Sequence, residues 1–150
     1  MPTNRNDIIE SLLVSNHRLT RMAAQATGST VSSAVWSALS VLVSEGPRRI
    51  GDLAKDARIS QPGMTKVLAG LVDDEWVLRI ADVDDSRAWL IAITDKGRDA
   101  LSGWRTQLAE ATREIFAELS DTEWAALDNA ARILAIRLAE KSSANTGDVA

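Results

Sequence analysis

A mainly helical α+β fold is predicted by three features of this sequence. Two short helical patterns lie almost back to back between Ile50 and Val72, and the second opens on a capping Ser60. Two strand-like runs follow, Trp76–Ala81 and Ala88–Thr94, joined by the polar turn Asp82-Val83-Asp84-Asp85-Ser86-Arg87. Long helical patterns flank this block on both sides. Helix, tight turn, helix and hairpin is the plan of a winged helix-turn-helix, whose second helix enters a DNA major groove.

Taken in order, Met1-Pro2-Thr3 is a loose start, and Asn4–Thr27 places Ile8, Ile9, Leu12, Leu13, Leu19, Met22, Ala23 and Ala26 at helical spacing before the stop at Gly28. Ser29, Thr30 or Ser32 caps a second helix reaching Ser44. There Val35, Trp36, Ala38, Leu39, Val41, Leu42 and Val43 leave little polar surface, so this helix is central. Glu45-Gly46-Pro47 ends it, because proline cannot continue helical hydrogen bonding. Arg48-Arg49-Ile50 is a short extended piece suited to pairing with the hairpin. Leu53, Ala54 and Ala57 mark a brief helix, and Met64, Val67, Leu68, Leu71 and Val72 commit one face of the next helix to the core.

The opposite face of that helix carries Gln61, Pro62, Thr65, Lys66 and Ala69, polar or small residues in the half where a recognition helix reads bases. Beyond the hairpin, Thr94 caps a helix with Leu101, Trp104, Leu108, Ala111, Ile115 and Leu119 at alternating steps of three and four. Ser120-Asp121-Thr122-Glu123 is a capping box for a last helix carrying Trp124, Leu127, Ala131, Leu134 and Leu138. Seams of this kind need a partner, which points to a homodimer. The expected organisation is one domain over 1–150: dimerisation and scaffold helices at 1–46 and 95–141, a winged block at 47–94, and a frayed tail at 142–150.

Composition narrows the function. Without cysteine there is neither a disulfide nor a thiol sensor, and one histidine leaves little from which to build a zinc site. No apolar run spans a bilayer and no signal peptide is evident, so the expected compartment is the cytoplasm, with no membrane partner. There is no phosphate-cradling glycine loop, no nucleophile with a base and no cofactor motif, and the chain reads as a non-enzyme. The net charge of −4 is awkward for a DNA binder. Between residues 47 and 90, Arg48, Arg49, Lys55, Arg58, Lys66, Arg79 and Arg87 face Asp52, Asp56, Asp73, Asp74, Glu75, Asp82, Asp84 and Asp85. Local placement must therefore create the binding face. A winged-helix module for protein interaction, without sequence-specific DNA binding, is the alternative that suits this acidic balance.

The series Ile50-x-x-Leu53-Ala54, Ser60-x-Pro62-x-Met64-Thr65-Lys66, Leu71, Trp76-Val77-x-Arg79, Asp82-x-x-Asp85-x-Arg87 and Thr94-x-x-Gly97 resembles the MarR family of bacterial transcriptional regulators over nearly the whole chain. The resemblance implies a two-fold dimer on a pseudo-palindromic operator, and a small ligand, often an aromatic acid, that weakens DNA binding. Two residues depart from the family pattern. Glu75 stands where glycine is usual after the recognition helix, so either Glu75 takes a left-handed conformation or the turn changes form. Lys66 stands where arginine is usual, and a point charge favours phosphate contact over guanine reading.

The expected DNA-binding residues are therefore Ser60, Gln61, Pro62, Gly63, Thr65 and Lys66 on the recognition helix, with Arg79, Asp85, Ser86 and Arg87 on the hairpin. Arg87 is expected to enter the minor groove with its side chain held by Asp85. Arg79 fits either a DNA contact or an internal salt bridge. For an aromatic or otherwise anionic ligand the candidates are His17, Arg18, Arg21, Trp36 and Trp104, since an anion needs a cation beside an apolar wall. Each of these also fits an ordinary place on a helix surface or in a seam.

Overall fold

The computed structural model describes residues 4–146. Its elements are α1 (Arg5–Thr27), α2 (Ser33–Glu45), β1 (Arg48–Arg49), α3 (Ile50–Asp56), α4 (Gln61–Asp73), β2 (Val77–Ala81), β3 (Trp89–Ile93), α5 (Asp95–Ala111) and α6 (Asp121–Thr146), with a 3-10 turn at Arg113–Phe116. The chain thus has the predicted winged-helix order. The start Met1–Thr3 and residues 147–150 of the expected tail lie outside the described residues. The chain gathers into two units, α1 with residues 103–118, and residues 31–102 with α6.

In the first unit, Asn4 caps α1 by accepting from the Asp7 N–H at 3.0 Å, and Gly28 closes it in the left-handed region at φ 62°. Ile8, Ile9, Leu12, Leu13 and Val14 remain exposed along this helix, a large apolar face left in water. The helical rhythm expected to run from Thr94 to Leu119 breaks earlier. At Thr112 the side-chain hydroxyl donates to Leu108 O at 2.9 Å and lies 3.1 Å from Ala109 O. A buried β-branched residue bonding back onto the preceding turn disfavours continuation of the α-helix, and the chain tightens into the 3-10 turn.

In the second unit α2 packs on α3, α4 and β3. Its core is Ala38, Leu39, Leu42, Leu53, Ala54, Met64, Leu68, Leu71, Val77, Ile91 and Leu101. Val72, expected in this core, is 37% exposed instead, because it closes the last turn of α4 beside an open cleft. The sheet order is β1-β3-β2, all antiparallel, with Arg49 opposite Leu90 and Leu90 opposite Ile80. The extended piece at Arg48-Arg49 therefore does pair with the hairpin, while Ile50 already begins α3.

Two helix ends in this unit share one device. After α3, the Ile59 N–H reaches Ala54 O at 2.9 Å and the Arg58 N–H reaches Lys55 O at 3.1 Å. After α4, the Trp76 N–H reaches Leu71 O at 2.9 Å and the Glu75 N–H reaches Val72 O at 3.0 Å. Both are Schellman closures, which require a left-handed residue and normally use glycine. Here Arg58 at φ 57° and Glu75 at φ 61° take that role. Glu75 thus adopts the conformation glycine accepts more readily, and the turn keeps its form.

α6 begins with the predicted capping box: the Ser120 N–H donates to Glu123 Oε2 at 2.9 Å, and the Glu123 N–H donates to Ser120 Oγ at 3.3 Å. The Ser120 hydroxyl also donates to the same carboxylate oxygen at 2.8 Å, and the two Ser120 bonds to it, the backbone one contributing most, favour the charged form and hold Glu123 below its ordinary range. The helix then continues through Ser142 to Thr146, residues expected to fray. Ser142 Oγ donates to Glu45 Oε1 at 3.0 Å, which ties this end to α2. Trp124, Leu127, Ile133, Leu134, Ile136 and Leu138 are exposed along α6. No helix among the described residues is long and apolar enough to cross a membrane.

Candidate nucleic-acid interface

The recognition element is built from its cap outward. Ser60, extended at φ −61° and ψ 149°, accepts from the Gly63 N–H at 3.2 Å, with Pro62 among the first helical residues of α4 where no amide bond is lost. A Cβ on Gly63 would stand 2.9 Å from Ser60 Oγ and 3.2 Å from Ile59 Cγ2. Gly63 is thus explained by the cap itself, and a base contact is not needed to account for it. Ser60, Gln61, Pro62, Thr65 and Lys66 are exposed. Thr65 Oγ1 donates to Gln61 O at 3.0 Å, so its hydroxyl is left to act as an acceptor. The Lys66 side chain is exposed, makes no ion pair among the described residues and is available to a phosphate.

The wing turn is more constrained than its composition suggests. Asp82 closes its base by donating its N–H to Ala88 O at 3.2 Å, and Oδ1 of its side chain accepts from the Asp84 N–H at 3.0 Å. Oδ2 of the same carboxylate accepts from Arg49 Nε at 3.0 Å and Nη2 at 2.8 Å. Hydrogen bonding from the Arg49 side chain, followed by the Asp84 amide, holds the Asp82 carboxyl below its ordinary range; the same side-chain bond raises Arg49. Asp82 is buried although it sits in an otherwise exposed turn.

This arrangement corrects the expected role of Asp85. Its Oδ1 accepts from the backbone N–H of Arg87 at 3.0 Å, and its Oδ2 lies 3.9 Å from Arg49 Nη2. Asp85 therefore fixes the Arg87 backbone while its charge faces Arg49. The Arg87 guanidinium is left exposed, as is Ser86. Arg79 makes no ion pair among the described residues. It lines an open cleft of about 610 Å³ with Val72, Asp73, Glu75 and Leu78.

All ten expected DNA-binding residues fall in the winged unit, on the start of α4, on β2 and in the turn between β2 and β3. Arg49 and Asp82 were missed as a working pair. They are 33 residues apart in sequence, and only the pairing of β1 with β3 brings them together. The ligand candidates lie on three elements. His17, Arg18 and Arg21 are exposed on α1, and Trp104 is half-buried on α5. Trp36 is half-buried on α2, its ring stacked on Trp76 with centroids 5.7 Å apart and 28° between planes.

The winged block is similar to known regulators. Residues 31–89 match the profile of the MarR family. An HTH-type transcriptional regulator of Mycobacterium bovis is 33% identical over 106 residues, 71% of this chain and 74% of the relative. The homoprotocatechuate degradative operon repressor of Escherichia coli is 31% identical over 85 residues, 57% of each chain. A transcriptional regulator from Thermotoga maritima, 18% identical, superposes with a TM-score of 0.70 over 93% of this chain and 99% of that one, which speaks to the fold alone.

Proposed function

The chain belongs to the MarR family of transcriptional regulators, and we propose that it is a cytoplasmic, homodimeric repressor, without catalytic activity, that leaves a pseudo-palindromic operator when a small aromatic or anionic ligand binds. The observation that carries the DNA-binding part is the pairing, in one unit, of a capped α4 with exposed Gln61, Thr65 and Lys66 and a braced wing with exposed Arg87. The amides and dipole at the start of α4 add attraction for a phosphate near Ser60. Lys66 acts on the backbone, and Arg87 reads the shape of the minor groove.

The dimer reading rests on apolar surface. Ile8, Ile9, Leu12 and Leu13 on α1, and Trp124, Leu127, Leu134 and Leu138 on α6, are exposed in a single chain. Patches of that kind mark an interaction site, and a self-complementary one gives a two-fold dimer. The repressor reading takes support from the Escherichia coli relative, whose name describes the repressor of a degradative operon. The ligand reading rests on residue type: His17, Arg18 and Arg21 are cations or polar groups suited to an anion, and Trp36 and Trp104 are rings suited to an aromatic ligand.

Selection of bound fragments from a genomic DNA library, followed by footprinting, tests the proposal together with sedimentation. The expected result is a two-fold symmetric footprint bound by a dimer, with dimerisation lost on truncation after Leu119. A full chain that is monomeric at micromolar concentration, or enriches no sequence, refutes it.

A further inference from the structure

We propose that Arg49 is a positioning residue for the wing: it holds the turn in the shape that presents Arg87 to DNA, without touching DNA itself. This rests on the DNA-binding reading of Arg87 above. Arg49 lies on the short β1, paired with β3, yet its guanidinium reaches the turn beyond the end of β2. There Nε and Nη2 both bond one oxygen of Asp82, at 3.0 and 2.8 Å, while the other oxygen takes the Asp84 amide at 3.0 Å. Nη2 also faces Asp85 at 3.9 Å, and Asp85 in turn holds the Arg87 amide at 3.0 Å and accepts the Ala88 N–H on its carbonyl at 3.0 Å. One side chain from a neighbouring strand thus faces both carboxylates that bind the turn's amides.

The same geometry addresses the charge difficulty. Residues 82–87 carry Asp82, Asp84 and Asp85 against Arg87, a sum of −2, and Arg49 brings the cluster to −1. Asp82 and Asp85 face Arg49, which leaves Arg87 as the turn's cation for the groove. With its two closest donors committed to Asp82, Arg49 is poorly placed to serve as a phosphate contact. Lysine cannot replace it, since a single ammonium group does not offer the Nε and Nη2 pair in a fixed plane.

Arg49→Lys and Arg49→Ala, each alone and combined with Arg87→Ala, test this in the full chain. In the free protein, exchange of the Asp84 and Arg87 amides by NMR is expected to rise by about tenfold or more in both single variants while α2 and α4 amides hold their protection. Operator affinity is expected to fall by roughly tenfold in both single variants, and by less than about twofold when Arg87 is already alanine. Unchanged amide exchange overturns the positioning role whether or not DNA is bound. Full affinity in Arg49→Lys, or an equal loss with and without Arg87, overturns it in favour of a simple charge contact. A wild-type chain that binds no DNA overturns the reading beneath the proposal, and the exchange data then report on the brace alone.

Discussion

Substitution of Gly97 by alanine isolates the joint on which the wing stands. Gly97 lies in the first turn of α5, its amide donating to Thr94 Oγ1 at 3.0 Å, directly against the beginning of the hairpin. A Cβ there would collide with the Trp76 carbonyl oxygen and stand 2.9 Å from Ile93 Cγ1 and 3.0 Å from Trp76 C. The isoleucine can rotate, but the Trp76 peptide cannot easily yield. Its oxygen accepts from the Thr94 N–H at 3.0 Å and its N–H closes α4 on Leu71 O at 2.9 Å. Overpacking against fixed backbone costs about 1–3 kcal/mol, and alanine's better helix propensity offsets less than about 1 kcal/mol of that in a first turn. The expected net loss is about 2 kcal/mol, or roughly 4–8 °C in Tm for a chain of this size. Gly70→Ala is the matched control: a Cβ there meets nothing within 4 Å, so the change should stabilise by about 0.5–1 kcal/mol. Urea unfolding followed by circular dichroism at one fixed protein concentration measures both. A Gly97→Ala chain as stable as wild type, or a Gly70→Ala chain equally damaged, refutes the account of this joint.

Three further expectations concern the wing, the caps and sensing. Glu75→Gly relieves a left-handed glutamate at the cost of an exposed 3.2 Å pair with Lys96 and of greater freedom in the unfolded chain, so stability should rise by up to about 1 kcal/mol; a loss in urea unfolding of that size would contradict it. Asp82 and Glu123 have lowered folded pKa values, so what they contribute is complete above the ordinary carboxylate range and is lost as pH falls through their folded values. Carboxyl ¹³C shifts should therefore titrate below those of ordinary acids, returning upward for Asp82 in Arg49→Ala and rising only in part for Glu123 in Ser120→Ala, which keeps the backbone N–H that contributes most. Small aromatic acids should quench tryptophan fluorescence and weaken operator binding together, with Arg21→Ala reducing both effects. Quenching without a change in operator affinity would mean a site uncoupled from the wings.

Much of the winged unit was legible because its signals are local. Ser60 and the Ser120–Glu123 box announce helix starts within one turn, and the spacing of Met64, Leu68 and Leu71 marks the inner face of α4. What escaped depends on residues distant in sequence or on an unusual residue. Arg58 closes α3 in a left-handed conformation without the glycine that normally signals it. The break at Thr112 is invisible to a pattern of apolar residues, since Ala111 and Ile115 keep the rhythm across it. Asp85 looked like the natural partner of the Arg87 side chain, yet its charge faces Arg49, on a strand that precedes α3 and α4 in the chain.

Salt-dependent operator binding by wild type, Lys66→Ala and Arg87→Ala tests the central claim most directly. Arg87→Ala should cost about 1–3 kcal/mol on the operator, most of it as lost preference over random DNA. Lys66→Ala should weaken binding on every sequence and flatten the slope of log affinity against log salt by roughly one unit for each phosphate that a subunit no longer neutralises. Wild-type affinity and slope in both variants would contradict the assignment of α4 and the wing as the surface that holds DNA.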